Sequence, residues 1–187
     1  MKNHICTFAA LLLLPALYVG QQSYVPGYIV NAQGDTLRGE VKLNEKKPLD
    51  LYAKVMFKDK NGMQRTYKPA KIKAYGFDDK NFVSLDDNGE PGFYRSIVQG
   101  PISLYELSYE GLRMNKVITE SEYFLLGPGD KNPQPVKSRN FKKQLQKYTS
   151  DHPGLVEEYA EEKEFDEEAA VSAITNYNAW KAGQPQE

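Results

Sequence analysis

The stretch Thr36-Leu37-Arg38-Gly39-Glu40-Val41-Lys42-Leu43 decides the fold class of this chain, because its side chains alternate in polarity at every step. Successive side chains of a β-strand point to opposite faces of a sheet. Leu37, Val41 and Leu43 would therefore share one face with Gly39, while the charged residues share the other. This alternation is typical of an antiparallel strand with one face in water.

The same period of two continues from Tyr24 to about Leu126. Tyr28-Ile29-Val30 is joined to the opening stretch by a glycine-containing turn, so the two should form a hairpin. Further strands are predicted at 53–58, Met63–Lys68, Lys71–Phe77, Asn81–Leu85, Phe93–Gln99, Ile102–Glu110 and Val117–Leu126. Turns between them are predicted at Asp59-Lys60-Asn61-Gly62, Asp86-Asp87-Asn88-Gly89 and Tyr109-Glu110-Gly111. About eight short strands at this spacing are typical of an antiparallel sandwich or open barrel.

The periodicity changes after residues 127–135, whose prolines and glycines predict an irregular surface connection. Beyond it, apolar residues recur at helical spacing. Three short helices are predicted, with apolar stripes at Phe141, Leu145 and Tyr148, at Leu155, Val156 and Tyr159, and at Ala170, Ala173, Ile174, Tyr177 and Trp180. Asp166 is positioned to cap the third helix. Helices this short must pack on the sheet to persist, so we expect an α+β fold.

The first twenty residues have the layout of a secretory signal peptide. Lys2 precedes an apolar run from Ile5 to Leu14, and Gly20 precedes a change to polar residues. About ten apolar residues are too few to span a bilayer. We therefore expect residues 1–20 to be a signal peptide, 21–136 an antiparallel β domain, and 137–187 a helical segment packed on that domain. The location would be the periplasm or the cell surface, and the mature chain would have no transmembrane segment.

Removal of the signal peptide would leave a chain with little catalytic chemistry. The only cysteine, Cys6, would be lost, and His152 would be the one remaining histidine. Cys–His catalysis and the common Cys/His zinc sites are then excluded. The run Ser150-Asp151-His152-Pro153 is typical of the entry to a helix rather than of a catalytic site. We expect no catalytic, cofactor-binding or metal-binding residue.

Several groups of carboxylates are candidates for a site in spite of that expectation. Asp86-Asp87-Asn88-Gly89-Glu90 offers closely spaced oxygens of the kind that bind calcium, although a hairpin turn explains the same residues. Asp78-Asp79 and the pair Glu106 and Glu110 could serve a glycoside hydrolase, which needs two acids facing each other. Solvated surface is the ordinary role of such residues.

Two other surfaces have a binding interpretation. Tyr105, Leu107 and Tyr109 share one face of a predicted strand and could stack on a sugar or a peptide, but a strand that is apolar on both faces is usually buried. Basic residues of the first predicted helix could contact an anionic polymer. Basic residues outnumber acidic ones in 21–149 and the reverse holds in 150–187, so we expect the two parts to pack together. Export makes nucleic acid an unsuitable partner.

Short motifs along the chain resemble a family of exported proteins from Bacteroidetes that has no established activity. They are Gly27-Tyr28-Ile29-Val30, Gly34-Asp35-Thr36-Leu37-Arg38-Gly39, the run Tyr67–Phe77, and an ending that includes Tyr177-Asn178 and Trp180. The resemblance implies an exported protein with a β-rich body followed by helices, and it implies no catalytic residue.

We accordingly expect a non-enzymatic envelope protein, a binding or scaffolding module whose partner is an envelope protein or a polysaccharide. Two alternatives remain open at this point. One is a carboxylate-dependent hydrolase that acts on envelope or dietary polysaccharide. The other is a subunit of a larger surface assembly that docks through its helical tail.

Overall fold

The computed structural model of the chain describes residues 23–87, 89–152, 154 and 164–184. The predicted signal peptide and the predicted helix with Leu155, Val156 and Tyr159 lie outside these residues. The described strands are β1 Tyr24–Asn31, β2 Thr36–Lys42, β3 Val55–Asp59, β4 Gln64–Tyr67, β5 Ile72–Phe77, β6 Lys80–Asp87, β7 Glu90–Val98, β8 Ser103–Arg113, β9 Lys116–Leu126 and β10 Gln134–Pro135. The described helices are α1 Asp50–Ala53, α2 Phe141–Tyr148 and α3 Glu167–Ala182.

These strands form one antiparallel sheet, so the α+β class is confirmed. The strand order is β10-β9-β8-β7-β6-β5-β1-β2-β3-β4. Most neighbours in the sheet are also neighbours in sequence, and the exception is β1, which lies between β2 and β5. None of the helices in the described part of the chain is long and apolar enough to span a membrane.

The opening stretch forms the predicted hairpin. Strands β1 and β2 pair from Val30 opposite Thr36 to Tyr24 opposite Lys42. Val41 is fully buried on the apolar face. Leu37, on the same face near the turn, remains 46% exposed because the sheet leaves the turn end of the hairpin uncovered.

The first hydrophobic core lies on that same face and is built mainly from aromatic side chains of neighbouring strands. Tyr75 of β5 stacks on Phe82 of β6 with ring centroids 4.7 Å apart. Its hydroxyl donates a 2.6 Å hydrogen bond to the Leu51 carbonyl of α1. The Phe82 ring also makes a T-shaped contact with Tyr52 of α1, with centroids 5.5 Å apart. The short helix α1, which the sequence did not predict, therefore closes this core from above.

The second core lies between the sheet and the helices α2 and α3. The stripes predicted for the first and third C-terminal helices are confirmed, since the side chains at this interface are buried: Ile102, Leu104, Leu125, Phe141, Leu145, Tyr148, Ala170, Ala173, Ile174 and Tyr177. Asp166 caps α3 as predicted, with its carboxylate 2.9 Å from the Ala169 amide. The side-chain amide of Asn178 accepts from the Ile102 N–H at 3.0 Å and donates to the Ile102 carbonyl at 2.8 Å. This double contact attaches α3 to the start of β8.

The turn predicted at Tyr109-Glu110-Gly111 is wrong. Strand β8 continues to Arg113, and the chain reverses at Met114 and Asn115, whose φ angles are 49° and 61°. Gly111 is a strand residue opposite Ile118. A Cβ atom at Gly111 would lie 2.6 Å from Cδ of Glu120, so the glycine accommodates a cross-strand neighbour instead of a turn.

A second correction concerns the connection at 127–135, which was expected to be irregular throughout. Gln134 and Pro135 pair with Leu125 and Phe124 of β9 and form the short edge strand β10. Proline is tolerated there because an edge strand leaves alternate backbone N–H groups without a ladder partner.

Candidate ligand-binding cleft

Strand β8 has two halves with different neighbours. Its inner half, Ser103–Glu106, lies between β7 and β9, and all four residues are buried. Its outer half, Leu107–Arg113, pairs with β9 alone among the described residues. The facing part of β7, Glu90–Tyr94, pairs with β6 along its other edge and has no pair with β8. The β6–β7 and β8–β9 hairpins therefore separate beyond the pair formed by Arg95 and Glu106.

A polar centre occupies the point where the hairpins separate. Glu106 accepts hydrogen bonds from Arg95 Nε, from Ser108 Oγ at 2.9 Å and from Ser121 Oγ at 2.7 Å. Nη2 of Arg95 lies 3.9 Å from Oε1 of Glu167 in α3. The alternation of β7, β8 and β9 places these groups on the face that also bears both cores, so the polar centre separates the two cores.

The contacts of Glu106 keep its carboxylate ionised. Burial by itself would raise the pKa of Glu106, but hydrogen bonds from Ser121, Arg95 and Ser108 and the charge of Arg95 outweigh that effect, and the pKa is lowered. A carboxylate with three donors and a lowered pKa is a poor general acid, which must hold a proton near neutral pH. The arrangement is typical of a structural ion pair.

Tyr52 of α1 reaches this polar centre from the other side of the gap between the two hairpins. Burial raises the pKa of the Tyr52 hydroxyl, Ser108 and Arg95 act in the opposite direction, and Glu106 adds to the increase. The tyrosine is therefore neutral, and its oxygen is placed to accept hydrogen bonds from Ser108 and Arg95. Tyr52 thereby links α1 to the polar centre.

A cleft of about 770 Å³ lies between α1 and the outer half of β8. One wall is formed by the α1 segment, which contributes Lys47, Asp50, Tyr52 and Ala53. The opposite wall consists of four consecutive residues of β8, Leu107–Glu110, together with Thr119 of β9. Because consecutive residues of a strand point to opposite faces, a cleft bordered by all four of them runs along the edge of β8.

Tyr109 stands at this edge with its hydroxyl engaged. It donates a 2.9 Å hydrogen bond to Oε1 of Glu122. That bond, with slight burial and the negative charges of Glu122 and Glu120, raises the pKa of Tyr109 to about 12. The cleft thus presents an aromatic ring, hydroxyl groups and backbone amides, which suit a polar extended ligand better than a compact apolar one.

A second cavity, of about 380 Å³, lies on the other side of the polar centre. It is bordered by Ser121 and Tyr123 of β9 and by Phe165, which precedes α3. Tyr123 donates a 2.6 Å hydrogen bond to Glu167, and burial together with this bond raises its pKa. The two aromatic rings that border the cavity are in contact, since the centroids of Tyr123 and Phe165 are 4.7 Å apart. This cavity therefore lies where the sheet contacts the start of α3.

The carboxylate pairs weighed for hydrolysis are not brought together. Glu106 is buried in the polar centre, whereas Glu110 lies four residues along the same strand, about 13 Å away, and is exposed. Asp78 and Asp79 lie in the exposed turn between β5 and β6, where Asp78 has a φ of 49°. A pair of facing acids is therefore not formed by these residues.

The calcium candidate is a hairpin turn. Asp86 and Asp87 end β6, Glu90 begins β7, and Asp86 Oδ1 accepts from the Gly89 N–H at 2.5 Å. Asn88 lies outside the described residues. No group of three or more His, Cys, Asp or Glu residues suited to a metal ion is found in the part of the chain that the structure describes.

The three residues predicted to share one aromatic strand face, Tyr105, Leu107 and Tyr109, are distributed over both halves of β8. Tyr105 is 7% exposed and packs with Tyr94 and Phe124 on the face opposite the polar centre, so the prediction of a buried residue is confirmed there. Leu107 and Tyr109 are only half-buried and border the cleft.

His152 and its neighbours attach the helices to each other. Its ring contacts Trp180 of α3 edge-on, with centroids 4.4 Å apart. Asp151 accepts from the Tyr177 hydroxyl at 3.0 Å and from Lys181 Nζ at 2.6 Å instead of capping a described helix. Burial, the bond to Asp151 and its charge raise the pKa of Tyr177, so its hydroxyl stays protonated.

The expected packing of acidic against basic parts is found in two contacts. Arg139 Nε lies 3.7 Å from Glu164 Oε1, and Arg95 meets Glu167. On the basic face of α2, Lys147 pairs with Asp130 at 3.3 Å. These contacts give Arg139, just before α2, and Lys147, within it, partners in the same chain.

Sequence reasoning missed Arg95, Ser108, Ser121 and Tyr52 as members of one site. Only Glu106 carried a signal, because it is the one charged residue of the stretch from Ile102 to Tyr109 and stands between Tyr105 and Leu107. Known protein families, curated proteins and solved structures were all compared with this chain, and none of them matches it.

Proposed function

We propose that this chain is an exported envelope protein without catalytic activity, and that it binds an extended polypeptide segment of an envelope partner in the cleft beside α1. The observation that carries the proposal is the outer half of β8, which borders the cleft and pairs on one side only among the described residues. The proposed export to the cell envelope is supported by the layout of residues 1–20 and by the resemblance of the chain to exported Bacteroidetes proteins.

The physical basis is strand addition. An unpaired strand edge presents alternating N–H and C=O groups that an added strand can pair with. The seven residues Leu107–Arg113 offer an edge of about 23 Å, enough for a short peptide segment. Main-chain hydrogen bonds would supply affinity, and Lys47, Asp50 and Tyr109 on the rims would select side chains.

The chemistry of the polar centre favours binding over catalysis. Glu106 is ionised and fully engaged, and the other carboxylates weighed for hydrolysis lie apart from it. A ligand in the cleft would therefore meet donors and acceptors that hold it and no poised acid–base pair.

We also propose that the sheet curls into an open barrel. Helix α1, which joins β2 to β3, packs on β7 and β8 across the first core. Strands β6, β5 and β1 lie between those two regions in the sheet, so a strongly curved sheet best accounts for the contact.

The experiment that tests the proposal is a screen of extended peptides from exported proteins against the mature protein, followed by N-methylation of each backbone amide of a binder. In an added strand, only alternate amides face the edge. We expect N-methylation at every second position to abolish binding and at the intervening positions to be tolerated. Equal sensitivity at all positions, or binding of glycans with no peptide bound, would contradict strand addition.

A matched pair of variants locates the site. Ala53→Trp places a large side chain in the cleft, whereas Ala70→Trp places one at an exposed position outside it. We expect the first variant to lose peptide binding and the second to bind as the wild type does. Circular dichroism of both variants checks that the fold is retained.

A further inference from the structure

The end of the β8–β9 hairpin carries an unusual concentration of exposed apolar surface. The hairpin tip, defined as residues 112–117, includes Leu112 at 79% exposure, Met114 at 93% and Val117 at 65%. The other exposed large apolar residues of the described chain, Leu37 and Met63, are at 46% and 51% and lie elsewhere. Three such residues in six mark this tip as a contact surface.

The strand register gives the hairpin tip two different faces. Leu112 lies directly opposite Val117, so their side chains project from the same face of the hairpin. Arg113 lies opposite Lys116 and projects from the other face. Met114 lies in the turn between them, where both central residues have positive φ. The tip is therefore apolar on one face and at its end, and cationic on the other face.

Negative charge begins only further along the hairpin. Glu110 lies two residues before Leu112 and Glu120 lies three residues after Val117, about 7 Å and about 10 Å along their strands. The outer half of β8 has no second strand beside it among the described residues, and residues 112–117 are all exposed. The tip can meet a flat surface before the acidic residues do.

We propose that the hairpin tip docks on the surface of a lipid bilayer that contains anionic headgroups. Leu112, Met114 and Val117 enter the interfacial region, and Arg113 and Lys116 contact the headgroups. Interfacial segments combine apolar insertion of about 5–10 Å with cationic attraction to anionic lipid, and the tip has the length and charge for both.

A bilayer fits this surface better than a protein partner does. A stable protein interface buries about 800 Å² on each side, far more than three side chains at a hairpin end provide. The tip also lacks the aromatic residues that dominate protein interfaces. Bilayer contact needs only shallow apolar insertion, strengthened by nearby cations. This inference does not depend on peptide binding in the cleft, because the cleft is bordered by residues 107–110 of β8, whereas membrane contact uses side chains of residues 112–117.

The test is co-flotation of the mature protein with vesicles of phosphatidylcholine alone and of phosphatidylcholine mixed with phosphatidylglycerol. We expect binding to the mixed vesicles that weakens with added salt. The affinity of the variant Leu112→Ser/Met114→Ser/Val117→Ser for the mixed vesicles should fall by at least about tenfold. The matched control Leu37→Ser/Met63→Ser, which removes exposed apolar residues elsewhere, should bind as the wild type does.

A second pair of variants tests the charges. Arg113→Gln/Lys116→Gln should lose the preference for phosphatidylglycerol, whereas Lys60→Gln/Lys73→Gln, exposed on other turns and strands, should keep it. Failure of the wild type to bind mixed vesicles, or equal binding by the serine variant, would overturn the proposal. Concentration-dependent self-association that the serine variant abolishes, without vesicle binding, would assign the tip to a second copy of the chain instead.

Discussion

The two halves of β8 are parts of one regular strand with opposite surroundings. The inner half, Ser103–Glu106, is flanked by β7 and β9 and covered by α3, and every residue in it is buried. The outer half, Leu107–Arg113, has one strand partner among the described residues and ends in a largely exposed leucine and arginine. The difference arises at Arg95, where β7 stops following β8. The inner half therefore contributes stability, and the outer half is available for binding.

A pair of leucine substitutions tests whether the two halves of β8 contribute differently to stability, and it has the largest expected effect. Leu104→Ala removes a fully buried side chain between the sheet and α3, and we expect it to lower the free energy of unfolding by about 2–5 kcal/mol. Leu112→Ala, at 79% exposure, should change it by less than about 0.5 kcal/mol. Urea unfolding followed by circular dichroism measures both. Equal losses would mean that the two halves are not energetically distinct.

The boundary between the halves is tested by Glu106→Gln. This change removes the charge that Arg95 pairs with inside the protein, and we expect a loss of about 1–3 kcal/mol at neutral pH. Glu110→Gln, on the exposed outer half, is the matched control and should have little effect.

The same variant predicts a pH dependence with a definite sign. The pKa of Glu106 is lowered in the folded protein, so its stabilisation is present above the ordinary value near 4.5 and is lost as the pH falls through the folded-state pKa. The stability difference between wild type and Glu106→Gln should therefore shrink below pH 4.5. Unfolding curves recorded across acidic pH measure it, and a difference that stays constant would contradict the structural ion pair.

A smaller effect is expected where α3 meets the start of the inner half. Asn178→Ala leaves the N–H and C=O of Ile102 without their side-chain partner, which should lower the free energy of unfolding by about 1–2 kcal/mol. Gln144→Ala removes a comparable double contact, from Lys137 N and to Pro135 O, at an exposed site. Because water can replace exposed bonds, that control should lose less. The reverse order, measured by chemical unfolding, would contradict the role given to Asn178.

The smallest expected effect is at the end of the outer half. Met114 has a φ of 49°, a conformation that is unfavourable by about 1–2 kcal/mol for residues other than glycine. Met114→Gly should therefore raise stability by about 0.5–1 kcal/mol after the flexibility of glycine in the unfolded chain is counted. Met63→Gly, exposed without a positive φ, should not stabilise. Thermal unfolding separates the two outcomes.

Residues with local signals were predictable, and residues whose roles depend on distant partners were not. The β1–β2 hairpin follows from alternation around Val41, and the start of α3 follows from Asp166. Gly111 misled the turn prediction because the same residue type serves a tight turn and a crowded strand position. Arg95 and Ser121 carry no local signal for their meeting at Glu106, since each is an ordinary polar residue in its own strand.

The chain's own periodicity determined most of the strands, the helices α2 and α3, and the faces that these elements bury, because side-chain direction along a strand or helix is set by backbone geometry alone. Only the tertiary structure decided that β1 lies between β2 and β5, that α1 crosses to β7 and β8, and that β7 leaves β8 at Arg95. Those choices depend on contacts between residues far apart in sequence, and neither propensity nor alternation specifies which strand lies beside another. The cleft and the projecting hairpin tip follow from those choices.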